Sequence, residues 1–168
     1  MKRLLIVTAI ASAALAGPAA ADDPVSSVTG GGVGSGVVAT DQLELAVTQS
    51  ATGIAGGHVQ NEFALASSSF NLGGSPTCVR IAGNRAVVVY RFPAPVTVPE
   101  LPGEVFPYGA AYIEDNGDPV AGQPVDKMVD FAVREINIPF FCDADPLTFF
   151  AAPLAEPLSS GNFVIGNR

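Results

Sequence analysis

Histidine, cysteine and positive charge are scarce in this 168-residue chain: it has one histidine, two cysteines, and eight lysines and arginines against sixteen acidic side chains. A Ser-His-Asp triad would have to use His58, and no Gly-x-Ser-x-Gly elbow supplies its nucleophile. Catalytic zinc draws on at least two histidines or on cysteines, so His58 reads as a loop histidine with no catalytic or metal role. An acidic surface repels phosphate backbones and anionic headgroups, which argues against nucleic acid and membrane surfaces as partners. The run Gly30-Gly31-Gly32 is not followed by Gly-Lys-Ser/Thr, so it is no phosphate loop. Pro93, Pro95, Pro99, Pro102 and Pro107 include no Pro-x-x-Pro beside a basic residue, so they do not form a standard groove ligand. No stretch implies a cofactor.

What is present begins with a leader. Lys2 and Arg3 precede the apolar run Leu4–Ala16, and a Gly17-Pro18 break leads to Ala19-Ala20-Ala21, the three-part plan of a signal peptide over residues 1–21. The run falls well short of the roughly 20 residues that span a bilayer, and no second such run follows, so no membrane insertion is expected after cleavage. Removal leaves about 150 residues, enough for one domain with a core of its own. The expected compartment is secreted or periplasmic. There an oxidising milieu favours a bond between Cys78 and Cys142, the only two cysteines. Closing that long span is worth roughly 4 kcal/mol on the chain-entropy argument.

The mature chain reads as strands. Residues 22–35, rich in Gly and Ser, suggest a flexible N-terminus leading into a single β domain over 36–168. Leu43, Leu45 and Val47 alternate with Gln42, Glu44 and Ala46 as a half-buried strand does, and His58–Ala66 supplies another. The clearest signal is Thr77–Phe92, a hairpin about Gly83-Asn84. Pairing Ala82 with Arg85 puts Val79, Ile81, Ala86, Val88 and Tyr90 on one face, and Cys78, Arg80, Arg85, Val87 and Val89 on a mixed face expected to be partly covered. Pro93–Pro107 reads as a loop or sheet edge and Tyr108–Ile113 as a strand. Val125–Ile138 fits either a helix or a strand, and its β-branched residues favour the strand, closed by Pro139. Phe163-Val164-Ile165 forms the last strand. Turn signals recurring every 8–12 residues or so imply an all-β antiparallel meander of about eight strands, a barrel or alternatively a β-sandwich.

The acidic turn Glu114–Pro119 is the best candidate for chemistry. Asp115, Asn116 and Asp118 offer hard oxygen ligands suited to Ca²⁺, but the spacing departs from the twelve-residue calcium loop, and Asn-Gly with flanking Asp is also ordinary turn vocabulary. Glu114, Asp115, Asp118 and Asp130 are the carboxylates on which a glycosidase-type hydrolase would draw.

Taken in order, Gly34-x-Gly36, Leu43-x-Leu45-x-Val47, Cys78-x-x-x-x-Gly83-Asn84-x-Ala86, Asp115-Asn116-Gly117-Asp118-Pro119, Cys142 and Gly161-Asn162-Phe163-Val164 resemble a family of small secreted bacterial proteins of no assigned activity. Its members carry the same hairpin, an Asp-Asn-Gly-Glu-Pro turn, a second cysteine and a terminal Gly-Asn strand; here Asp118 stands where Glu is usual. The resemblance implies an all-β domain closed by Cys78 and Cys142, and supplies no catalytic residues. The expected function is a non-catalytic binding or structural module for a small apolar ligand or a cell-surface partner, with a carboxylate-based hydrolase as the alternative.

Overall fold

The structure, a computed structural model, describes residues 24–35, 39–53, 55–65, 68–97, 102–118, 120–121, 125–150 and 152–167. The leader expected over residues 1–21 lies outside them. Nine strands form one antiparallel sheet: β1 (Pro24–Ser35), β2 (Ala39–Ser50), β3 (Ala55–Leu65), β4 (Ser68–Asn71), β5 (Ser75–Ala82), β6 (Arg85–Val96), β7 (Phe106–Glu114), β8 (Lys127–Val133) and β9 (Glu156–Asn167). Their order across the sheet is β4-β3-β2-β1-β9-β8-β7-β6-β5, a meander whose first and last strands pair in the middle. The sheet curls through 270° into a half-barrel. Its ends meet at a seam, where Val59 of β3 and Gly74, just before β5, exchange backbone hydrogen bonds of 3.0 and 2.7 Å. The architecture is therefore the curled meander, with nine strands where about eight were expected.

Three expectations need correction. The stretch taken as a flexible N-terminus holds β1, which is paired on both sides, with β2 and with β9. Its glycines reflect crowding: a Cβ on Gly30, where φ is 125°, would fall 2.2 Å from the Asn162 carbonyl oxygen. Glycine within a strand marks such close backbone approach. Pro93 and Pro95 lie within β6, exposed, where the register against β7 is irregular. Lys127–Val133 is a strand as favoured, but Pro139 does not close it. It opens a five-residue helix, α1 (Ile138–Cys142), which tolerates proline in its first turn because the missing N–H has no partner there.

The hairpin β5–β6 pairs Ala82 with Arg85, and Gly83 alone of the two central residues takes a positive φ, 59°, the II′ pattern. Val79, Ala86, Val88 and Tyr90 face the barrel interior with Val28, Leu43, Leu45, Val47, Val59, Ile113, Met128 and Phe163. The mixed face is also covered. Residues 134–155 run across the outside of β5–β8 as a strap and bury Phe141 and Phe149 against Val87, Val89, Tyr108, Tyr112 and Val133. Phe149 stacks on Tyr112 with centroids 5.8 Å apart.

The two arginines of that face now have partners. The Arg80 guanidinium donates to the Cys142 carbonyl and pairs with Asp143 at 3.4 Å, while Arg85 donates to the Leu147 carbonyl at 3.2 Å. Cys78 and Cys142 are disulfide-bonded with Cα atoms 5.7 Å apart, tying β5 to the strap. Exposed ion pairs such as Arg80–Asp143 contribute little. The strap is held mainly by the two buried rings, about 1.5–3 kcal/mol each, and by the covalent bond.

Replacing both cysteines with serine is expected to lower the unfolding free energy by roughly 4 kcal/mol in urea titrations, with the first protease cuts falling between residues 134 and 155. Gly109→Ala is expected to cost about 1–3 kcal/mol by the same measurement, because its Cβ would stand 2.4 Å from Cζ of the Tyr90 ring.

Candidate functional site

Interior positions of β2, β3, β6 and β8 bring four polar side chains together inside the half-barrel. Leu43 pairs with Asn61 and Asp41 with Phe63 across β2–β3, so Asp41 and Asn61 share the inward face with Leu43 and Val59. On the opposite wall Val88, Ala111 and Asp130 lie in one row and Tyr90, Gly109 and Ala132 in the next. Gly109 leaves room for the Tyr90 ring to lie across β7, and the phenol reaches Asp130.

The Tyr90 hydroxyl donates to Asp130 at 2.9 Å from Oδ2 and 3.1 Å from Oδ1. The Asn61 amide donates to Asp130 Oδ2 and to the Tyr90 oxygen, the latter at 3.3 Å, and it lies close enough to Asp41 to favour that carboxyl's charged form. Asn61 is fully buried, and both its Oδ1 and the Oδ1 of Asp41 are buried acceptors without a partner among the described residues. The cluster is therefore richer in acceptors than in donors.

Burial disfavours charge on both carboxyls. Desolvation pushes Asp41 up to about 6, against the opposing effect of Asn61. Asp130 is held well above the usual carboxylate range, first by desolvation and then by the Asp41 charge. The Tyr90 phenol is raised well above its ordinary value by burial and by Asp130. Charge on either carboxyl disfavours charge on the other, so the protonation of the two is linked.

Asp130 also lines a cavity of about 150 Å³ at the seam, whose other walls are Phe63, Phe70, Leu72, Val96, Thr97 and Ala132. Phe63 and Phe70 are direct partners across β3–β4. The result is an apolar chamber with one acidic wall, backed by three hydrogen-bonding side chains.

Of the carboxylates named from sequence, only Asp130 is in this cluster. Glu114 faces Arg85 at 3.8 Å on the outer surface. Asp115 accepts the Gly117 amide at 2.9 Å through Oδ1 and the Ile165 amide at 2.8 Å through Oδ2. Asn116 donates its side-chain amide to the Val125 carbonyl and its backbone amide to Asp126. The Asn84 side chain donates to the Asp115 carbonyl at 2.8 Å, joining the hairpin tip to the turn. These bonds sew the turn to β9 and to the β5–β6 hairpin, and Asp118 points outward, exposed. Among the described residues no three His, Cys, Asp or Glu side chains stand close enough to hold a metal ion. His58 is exposed on β3, beside a shallow groove over the β1 glycines.

Asp41, Asn61 and Tyr90 were not singled out from sequence as site residues. The strand alternation that places Asn61 with Val59 and Phe63 is the one signal that could have raised it: an amide among large apolar residues on an inward face. No family model, curated protein or solved structure matches the chain.

The raised pKa values set a pH dependence. A carboxyl whose folded pKa lies above its unfolded value of 3.8 holds its proton more tightly when folded. That contribution is complete below about pH 4 and is lost as the pH rises through about 6. Asp41→Asn, which has no proton to lose, is expected to be more stable than the wild type at pH 8, on the order of 2 kcal/mol after solvent screening, with the advantage shrinking toward zero at about pH 3.5. Denaturant midpoints of both proteins at the two pH values provide the check.

Proposed function

We propose that the mature domain is a secreted or periplasmic, non-catalytic β module that binds a small, largely apolar molecule at the seam of the half-barrel. The observation that carries this reading is the 150 Å³ cavity walled by Phe63, Phe70, Leu72 and Val96, with a few polar groups converging at one side. Apolar walls with sparse, placed polar groups are the usual make-up of small-molecule sites, and the mouth of a barrel is a usual place for them. The leader pattern and the Cys78–Cys142 bond fit an oxidising, extracytoplasmic compartment. The motif resemblance to small secreted proteins agrees with export and adds no activity.

A carboxylate hydrolase is the second reading, favoured by one observation: Asp41 and Asp130 form a half-buried, electrostatically interacting pair with raised pKa values, as acid/base groups do. It draws on Asp130 from the original candidates and exchanges the turn acids for Asp41. Hydrolysis on a broad glycoside panel that disappears in Asp41→Asn and Asp130→Asn would support it over the binding reading.

For the binding reading, toluene at a hundred times its dissociation constant is expected to add about 2.7 kcal/mol of stability, a rise of several degrees in Tm. Ala132→Phe, which fills the cavity, is expected to abolish that rise. No Tm change in the wild type with toluene or any other small apolar compound would overturn the proposal.

A further inference from the structure

Among the described residues, no cation neutralises the cavity's acidic wall. Five arginines and lysines lie among the described residues. Arg80, Arg85 and Arg134 form ion pairs with Asp143, Glu114 and Glu104. Arg91 lies over the ring of Tyr108, and Lys127 is at the far end of β8, in register with Glu114. Inside the half-barrel, the titratable groups facing Asp130 are Asp41 from β2 and the Tyr90 phenol from β6, while β3 contributes only the neutral Asn61. Among the described residues, two carboxyls, one of them a cavity wall, and two buried acceptor oxygens without donors stand against the Asn61 amide and the Tyr90 hydroxyl as side-chain donors and no positive charge.

We propose that the seam cavity selects a small organic cation, a primary amine on a compact apolar or aromatic body, with its ammonium on Asp130 and its body among Phe63, Phe70, Leu72 and Val96. This rests on the reading that the cavity binds a small molecule, and it names the class. An ammonium supplies three donors and the charge that a desolvated carboxylate needs. The walls suit the rest of the ligand: Phe63 and Phe70 offer ring surface to a cation or an aromatic body. Size sets the limit, since a cavity of about 150 Å³ holds roughly one benzene ring. Benzylamine is therefore about the largest body that fits without reaching into solvent. Protonation of Asp130, whose pKa burial and the Asp41 charge both raise, weakens the site, so amine affinity falls as the pH drops.

Binding of benzylamine, toluene and benzoate to the wild-type domain, followed by ligand-observed NMR and Tm shift in 150 mM salt at pH 8 and pH 5, tests this. The expected result is benzylamine at least tenfold tighter than toluene at pH 8, no benzoate binding, and a benzylamine preference that falls to twofold or less at pH 5. Asp130→Asn, with its fold checked by circular dichroism, is expected to bind toluene and benzylamine alike. Equal affinities for benzylamine and toluene in the wild type at pH 8 would overturn the cation assignment and leave the cavity reading standing. Binding of none of the three would remove the cavity reading and this inference together. A benzylamine preference unchanged at pH 5, or unchanged in Asp130→Asn, would place the amine elsewhere on the acidic surface and overturn the proposal. Should Asp130→Asn fail to fold, the pH 5 comparison in the wild type decides alone.

Discussion

A strand can carry large apolar residues at every position only where both of its faces are covered. In β6, Val87, Val88, Val89 and Tyr90 are all buried, and in β7 Ala110, Ala111, Tyr112 and Ile113 are too. The curl of the sheet covers one face and the strap of residues 134–155 covers the other. The rest of the molecule depends on this double burial. The strap needs the disulfide and the two arginines because its own regular structure, among the described residues, is one five-residue α-helix and two single 3-10 turns. The inward face, relieved of contact with solvent, can hold a polar cluster whose carboxyls are driven toward their neutral forms.

That cluster works against stability. Burying a carboxyl beside a second carboxyl costs free energy, and an apolar replacement of similar size is often neutral or stabilising. Asn61, Tyr90 and Asp130 are nonetheless connected to one another by hydrogen bonds, with Asp41 beside them, and open onto a chamber through Asp130. A network that is costly to the fold and adjacent to a cavity is better explained by what occupies the cavity than by what holds the barrel together.

The sequence displayed the hairpin plainly, since β-branched runs about Gly-Asn leave little choice of register, and the disulfide followed from number and compartment. β1 was hidden because its glycines carry the composition of a linker, and only the nearness of the Asn162 backbone explains them. Asp130 was visible as a carboxylate but not as an interior one. Val129, Phe131 and Val133 are the apolar face of β8, and apolar faces are expected to point inward; here the strap takes them on the outside, which turns Asp130 toward the barrel. Asp41 and Asn61 come from strands that join the sheet on the other side of β1 and β9, so no local pattern could associate them with Asp130. The charge-free look of the hairpin's inner face likewise concealed that the hydroxyl of Tyr90 would serve the cluster.

The pairing of the first strand with the last has a bearing on how the molecule is made. Ser26 lies opposite Asn167 and Gly34 opposite Leu158, so β9 pairs with β1 along most of its length, and it reaches β8 at its start, where Glu156 and Pro157 lie opposite Met128 and Lys127. A chain delivered N-terminus first can form two meanders, β1 to β4 and β5 to β8, which touch at the Val59–Gly74 bridge, but cannot link β1 to β8 until β9 arrives. Closure is then a single late step between segments far apart in sequence, the slow kind of contact in folding kinetics. Until it occurs, β1 and β8 present unpaired edges to any other strand nearby.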